Sequence, residues 1–119
     1  MRDPRLLVRI AAGLIFVVFG AGKFINHGAE VDSFDTYGLP SPDAFVYLIG
    51  VIEVVGGAML LLGRGVWPAA LVLAGDMVGA IVVSGIKEGE LISLTLAPAL
   101  LIGMLYLLSS ERPAYSRAP

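Results

Sequence analysis

The chain has 119 residues, 57% of them hydrophobic, with a mean hydropathy of +0.87 and a formal net charge of −2. That is more apolar surface than one small soluble core can bury, so a lipid bilayer is the expected solvent. With no cysteine and a single histidine, His27, the chain excludes disulfides, thiol catalysis, iron–sulfur ligation and bis-histidine haem ligation by one polypeptide, and its slight acidity lacks the basic field that nucleic-acid binding needs.

Four apolar windows, 6–25, 44–62, 67–86 and 91–108, come close to the roughly 20 residues that a transmembrane helix needs. The expected fold class is therefore all-α: a membrane-embedded four-helix bundle forming a single domain over 1–119, with no metal site. The first window resembles a signal peptide in its preceding Arg2 and Arg5, but it runs to Lys23 without a small-residue cleavage site and is expected to be retained. Arg9, Gly13, Phe16, Gly20 and Lys23 share one stripe of it. Arg9 is expected to snorkel to one membrane face. Lys23 either snorkels to the other or bends inward.

In the next loop Val31, Phe34 and Tyr37 recur at near-helical spacing among Glu30, Asp32 and Asp35. This predicts a short interfacial helix, either an anchored connector or a lid over an outward-facing cavity. Gly38 to Pro42 breaks it, with Ser41 as helix cap and Pro42 in a first helical position. The second span places Val46, Gly50, Glu53, Gly57 and Leu60 on one stripe. A turn from Gly63 to Pro68, with Trp67 at an interface, makes the second and third spans antiparallel neighbours.

The third span places Val72, Asp76, Gly79 and Val83 on one face, and Gly75 with Gly79 forms a GxxxG expected to mark a helix contact. Gly89 marks the next turn, Pro98 is expected to kink the fourth span, and Tyr106 should approach an interface. Ser84, Ser93 and Thr95 are expected interhelical hydrogen-bonders. Arg2, Arg5, Arg9, Arg64, Arg112 and Arg117 fall on one side, whereas Glu30, Asp32, Asp35 and Asp43, with Lys23 and Lys87, fall on the other. The positive-inside rule then makes both termini cytoplasmic in an inner-membrane, multi-pass protein.

Glu53 and Asp76 are equally far along the chain from the Arg64-Gly65 turn, so each lies ~17 Å from it, near the midplane of an antiparallel hairpin. A charge at such a position costs ~2.5–3.5 kcal/mol on insertion scales, so both acids are expected to face the protein interior. A carboxyl that exchanges its proton there suits a proton relay, a transported cation or the headgroup of a quinol. The plainer alternative is a neutral acid hydrogen-bonded to a neighbouring helix.

The segments Gly20-Ala21-Gly22-Lys23-Phe24, Tyr37-Gly38-Leu39-Pro40-Ser41-Pro42, Gly50 to Gly57 with Glu53 at its centre, and Leu60-Leu61-Leu62-Gly63 together resemble the DoxX family over nearly the whole chain. The resemblance implies a four-helix inner-membrane protein associated with redox assemblies, among them a quinone-reducing thiosulfate oxidoreductase and a complex with sulfur-transfer and superoxide-removing partners. Residue by residue it picks out Lys23 and Glu53, with Gly20, Gly56 and Gly57 as packing positions. Asp76 is not part of that pattern.

Three readings remain open at this level. The first is a membrane subunit of an oxidoreductase assembly that contacts a diffusible quinone or similar carrier, with Lys23, Glu53 and Asp76 as the proton-handling site. The second is a small proton-coupled transporter, ranked lower because its essential acid belongs in the first span. The third is a non-catalytic scaffold for redox or sulfur-transfer partners. Glycine stripes that include Gly13, Gly20, Gly50, Gly57, Gly75 and Gly79 serve intrachain packing or a homo-oligomer equally well.

Overall fold

The computed structural model describes residues 3–87 and 89–110, apart from the side chains at 33, 84, 86, 87, 92 and 93. Arg2, Arg112 and Arg117, and the side chains of Ser84, Lys87 and Ser93, lie outside that description. The chain forms α1 (Pro4–Ile25), α2 (His27–Thr36), α3 (Pro42–Leu62), α4 (Val66–Ala80) continuing as a π-helical segment (Ile81–Lys87), and α5 (Leu91–Ser110). Pro4–Ile25, Pro42–Leu62 and Val66–Val83 are long and apolar enough to cross a membrane, and Leu94–Ser110 is a shorter apolar stretch.

The fold is a membrane helical bundle, and its burial pattern is that of a protein solvated by lipid. Leu14, Val18, Val51, Val55, Leu71, Val78, Ile102 and Leu105 are exposed on the outside, while the buried residues include the charged Glu53. Among the described residues α1 packs chiefly on α3 and α4 on α5, and α3 joins the two pairs. Phe16, Leu60, Leu73, Met104 and Leu107 fill the centre.

Local chemistry sets the helix ends. Asp3 caps α1 by accepting from the Arg5 N–H, with Pro4 at the first helical position, where its missing N–H costs nothing. Pro42 opens α3 as expected, but Ser41 sits in the left-handed region at φ 47° and makes no side-chain cap bond. Gly63 at φ 70° and Gly65 at φ 61° turn α3 into α4, a left-handed pair that glycine adopts without steric cost. Arg9 does not simply snorkel. Its Nε donates to the Leu60 carbonyl at 3.0 Å, placing a cation on the last turn of α3.

Arg5 Nη1 reaches the Ser110 carbonyl, and Trp67 Nε1 donates to the Leu108 carbonyl at 3.0 Å, so the start of α1, the α3–α4 turn and the end of α5 share one end of the bundle. α2, Asp43 and Glu90 lie at the other. α5 runs through Pro98 as one helix. Thr95 does not bridge helices: its hydroxyl donates back to the Leu91 carbonyl of its own helix, as threonine does when no polar neighbour is in reach.

α1 and α3 meet backbone to backbone at glycine. A Cβ on Gly13 would stand 2.9 Å from the Gly57 carbonyl oxygen, and one on Gly57 would stand 2.8 Å from the Gly13 oxygen. Such closeness between main chains is what small residues contribute to helix packing in lipid. Gly56 similarly receives the Leu73 side chain of α4. The expected contact at Gly75 and Gly79 does not form. Both are exposed, and a Cβ on either would meet nothing within 4 Å, because α4 turns Ala70, Leu73, Ala74 and Met77 to the core instead. Past Ala80 the expected α-helix widens into the π segment, where Ile81-Val82-Val83 and Gly85 offer little α propensity.

Candidate functional site around Lys23, Glu53 and Asp76

Lys23 on α1, Glu53 on α3 and Asp76 on α4 converge where the three helices meet. Lys23 Nζ stands 2.9 Å from Glu53 Oε1, and their side chains are 12% and 6% exposed. Two glycines make this reach feasible. A Cβ on Gly20 would meet Val54 N at 2.8 Å and the Glu53 Cβ at 2.9 Å, so glycine lets α3 close on α1 at the acid itself. One turn away, a Cβ on Gly50 would stand 2.9 Å from Phe24 Cε2 and 3.1 Å from the Lys23 Cβ, so glycine there lets the Lys23-Phe24 turn of α1 close on α3. The inward bend of Lys23, one of the two sequence expectations, is therefore the observed arrangement.

Asp76 stands near enough to Glu53 and Lys23 to interact with both. Equal distances from the turn thus translate into proximity at one depth. An ionised carboxylate only accepts hydrogen bonds, so a bond between two carboxyls requires a proton on one of them. Asp76 Oδ2 is buried and has no hydrogen-bond partner in the protein. Glu53 Oε1 also lacks an aligned hydrogen bond and has instead the close Lys23 ammonium as its neighbour.

Asp76 forms part of the wall of a cavity of about 210 Å³ between α3 and α4. Phe45 and Ile49 of α3, Gly75, Gly79 and Ala80 of α4, and Val83 supply most of the rest, with Phe34 of α2 and Tyr37 and Leu39 just past its end. Gly75 and Gly79, expected to pack a helix, instead leave the space beside Asp76 open. A second groove of about 280 Å³ around Val51, Val55, Met59 and Val72 is larger but has no titratable side chain, so it reads as lipid-facing surface.

His27 ties the start of α2 to α3. It stacks on Tyr47 with ring centroids 4.1 Å apart, and its Nε2 pairs with Asp43 Oδ1. The hydrogen bond to Asp43 raises the imidazole pKa above its ordinary value, against a smaller opposing effect of burial. Tyr37 Oη donates to both oxygens of Glu90, at 2.9 and 3.0 Å, a link across 53 residues that no local pattern signals. Among the described residues no group of three or more His, Asp or Glu side chains could hold a metal ion.

The DoxX family profile matches residues 5–85, from the start of α1 through most of the π segment, and so includes Lys23, Glu53 and Asp76. The chain belongs to the DoxX family. Over 82 residues it is 33% identical to a Bacillus subtilis protein described as "Putative oxidoreductase CatD", covering 69% of this chain and 60% of that relative. Over 83 residues it is 36% identical to a Mycobacterium tuberculosis protein described as "Uncharacterized membrane protein Rv3486", covering 69% of this chain and 51% of the relative. The match thus spans between half and two thirds of each relative's length. No solved structure matches the DoxX chain.

Proposed function

We propose that this DoxX protein is a membrane subunit of an oxidoreductase assembly whose cavity receives the ring of a quinone or similar lipid-soluble carrier against Asp76. The observation that carries this reading is the buried, unpartnered Asp76 Oδ2 at an otherwise apolar wall. A buried polar atom without a partner costs about 1–3 kcal/mol, which a ligand hydroxyl or carbonyl facing a protonated carboxyl would recover. The volume suits a ring rather than a whole carrier, since pockets that enclose drug-sized molecules run from roughly 300 to 1,000 Å³. Its tail would then lie along the exposed, lipid-facing side of Gly75 and Gly79.

A quinone in this site would supply the two-electron chemistry, with electrons exchanged through a partner protein. The chain's own residues bind and manage protons. The Glu53–Asp76 contact holds one proton beside the cavity, and Asp76 passes it to or takes it from the ligand oxygen. Lys23 offsets the charge of Glu53 and fixes its position, so that Asp76 keeps its acid neighbour. The relative named as an oxidoreductase and the family's membrane setting support this assignment. The arginine-bearing end of the bundle, with both termini, faces the cytoplasm of the inner membrane, and α2 faces out.

The test is a titration of the purified full chain in nanodiscs with a short-chain quinone analogue. Asp76→Leu, similar in size but without a polar group, should weaken binding by about tenfold to a hundredfold, the value of one buried hydrogen bond. Equal affinity in the folded variant and the wild type would remove the assignment.

A further inference from the structure

α2 is apolar toward the cavity and acidic outside. Phe34 and Tyr37 line the cavity, while Asp32 and Asp35 are exposed. Both ends of this helix are tied down. His27 at its start pairs with Asp43 and stacks on Tyr47 of α3. Just past its end, Tyr37 crosses to Glu90, which follows Gly89 at the entry to α5. The residue after Tyr37 is Gly38 at φ 80°, a backbone state that only glycine adopts without strain. The His27 ties join α2 to the helix that follows it in sequence. The Tyr37 tie spans from the end of α2 to the connection between the π segment and α5.

We propose that Tyr37 and Glu90 are positioning residues of this site: their hydrogen bond latches α2 across the cavity and keeps water from Asp76. An apolar cavity with so few polar partners does not hold water by itself, so proton exchange between Asp76 and the aqueous phase requires the roof to lift. With the latch formed, Phe34 and Tyr37 stay over the cavity and the proton remains with the acids or the ligand. With it broken, water reaches Asp76, and a proton released by the carboxyl passes to that water. The purpose of such a latch rests on the carrier reading above, but its existence does not, and the two are tested separately.

The chain has no cysteine, so one introduced thiol reports access without interference. Gly79→Cys is suited to this, because a Cβ there meets nothing within 4 Å and the residue lines the cavity. The full chain in nanodiscs is treated with a positively charged, membrane-impermeant methanethiosulfonate, which modifies thiols that water reaches and not those covered by lipid. Adding Tyr37→Phe or Glu90→Ala should raise the modification rate by about tenfold, as expected for loss of one charge-assisted hydrogen bond. Glu90→Gln should keep the parent rate, since its amide oxygen still accepts from the phenol. Equal rates in all four backgrounds, or no modification in any of them when the unfolded chain is modified readily, would overturn the latch. Titrating the wild type and the Tyr37 and Glu90 variants, each with Gly79 restored, with the quinone analogue separates the two claims. Unchanged labelling with intact carrier binding removes the latch alone, whereas faster labelling without carrier binding leaves the latch standing and removes the carrier reading.

Discussion

Lys23→Met should destabilise the folded bundle by about 3–5 kcal/mol, the cost of removing one partner from a buried ion pair and leaving the other behind. Lys23 and Glu53 are both withdrawn from solvent and 2.9 Å apart, so water does little to screen them. Methionine keeps much of the volume of the apolar stem and removes the ammonium. Glu53 would then face Asp76 with no cation between α1 and α3. The double variant Lys23→Met/Glu53→Gln should recover most of the loss, because the glutamine amide can still hydrogen-bond to Asp76. Unfolding by denaturing detergent gives both values. A single variant within roughly 0.5 kcal/mol of the wild type, the spread of ordinary surface substitutions, would show that the pair does not hold α1 to α3.

Gly57→Ala and Gly79→Ala should differ sharply although both add one methyl group to a glycine in an apolar helix. At Gly57 the new carbon would stand 2.8 Å from the Gly13 carbonyl oxygen and 3.0 Å from the Val17 nitrogen, and main-chain atoms cannot rotate away. α1 and α3 must part, at a cost of about 1–3 kcal/mol for overpacking. Separation also pulls Lys23 from Glu53, so this substitution should weaken carrier binding as well as stability. At Gly79 there is open space, and alanine is the better helix former by up to about 1 kcal/mol, so the folded state should be unchanged or slightly more stable. The same detergent unfolding compares the two, and equal losses at both positions would contradict the packing described above.

Much of this architecture was legible in the sequence because hydrophobic length and helix punctuation act locally. Pro42, Gly63 and the apolar windows place the helices to within a few residues, and the equal spacing of Glu53 and Asp76 from the turn places them at one depth. Rotation about a helix axis is a different matter. The stripe through Glu53 turns inward because Gly50, Gly57 and Leu60 share it, and all are buried. The stripe through Asp76 does not, because alanines and Leu73 on the adjacent face of α4 fit α5 more closely, which leaves Val72, Gly75 and Gly79 outside. A GxxxG is thus compatible with both a helix contact and a cavity wall, and only the packing of the other faces decides between them. Tyr37 with Glu90 and His27 with Asp43 escaped the sequence for a second reason: each pair is remote in the chain and involves residues common in any polar loop.

In the function proposed above, the space beside Asp76 belongs to a lipid-soluble carrier. Native mass spectrometry of the protein after loading with a short-chain quinone tests it most directly, with the wild type compared against Gly79→Leu, whose side chain would occupy the cavity without a backbone clash. A carrier-bound species should appear in the wild type and be lost from the variant. Equal occupancy in the two, or no bound carrier in the wild type, would contradict it.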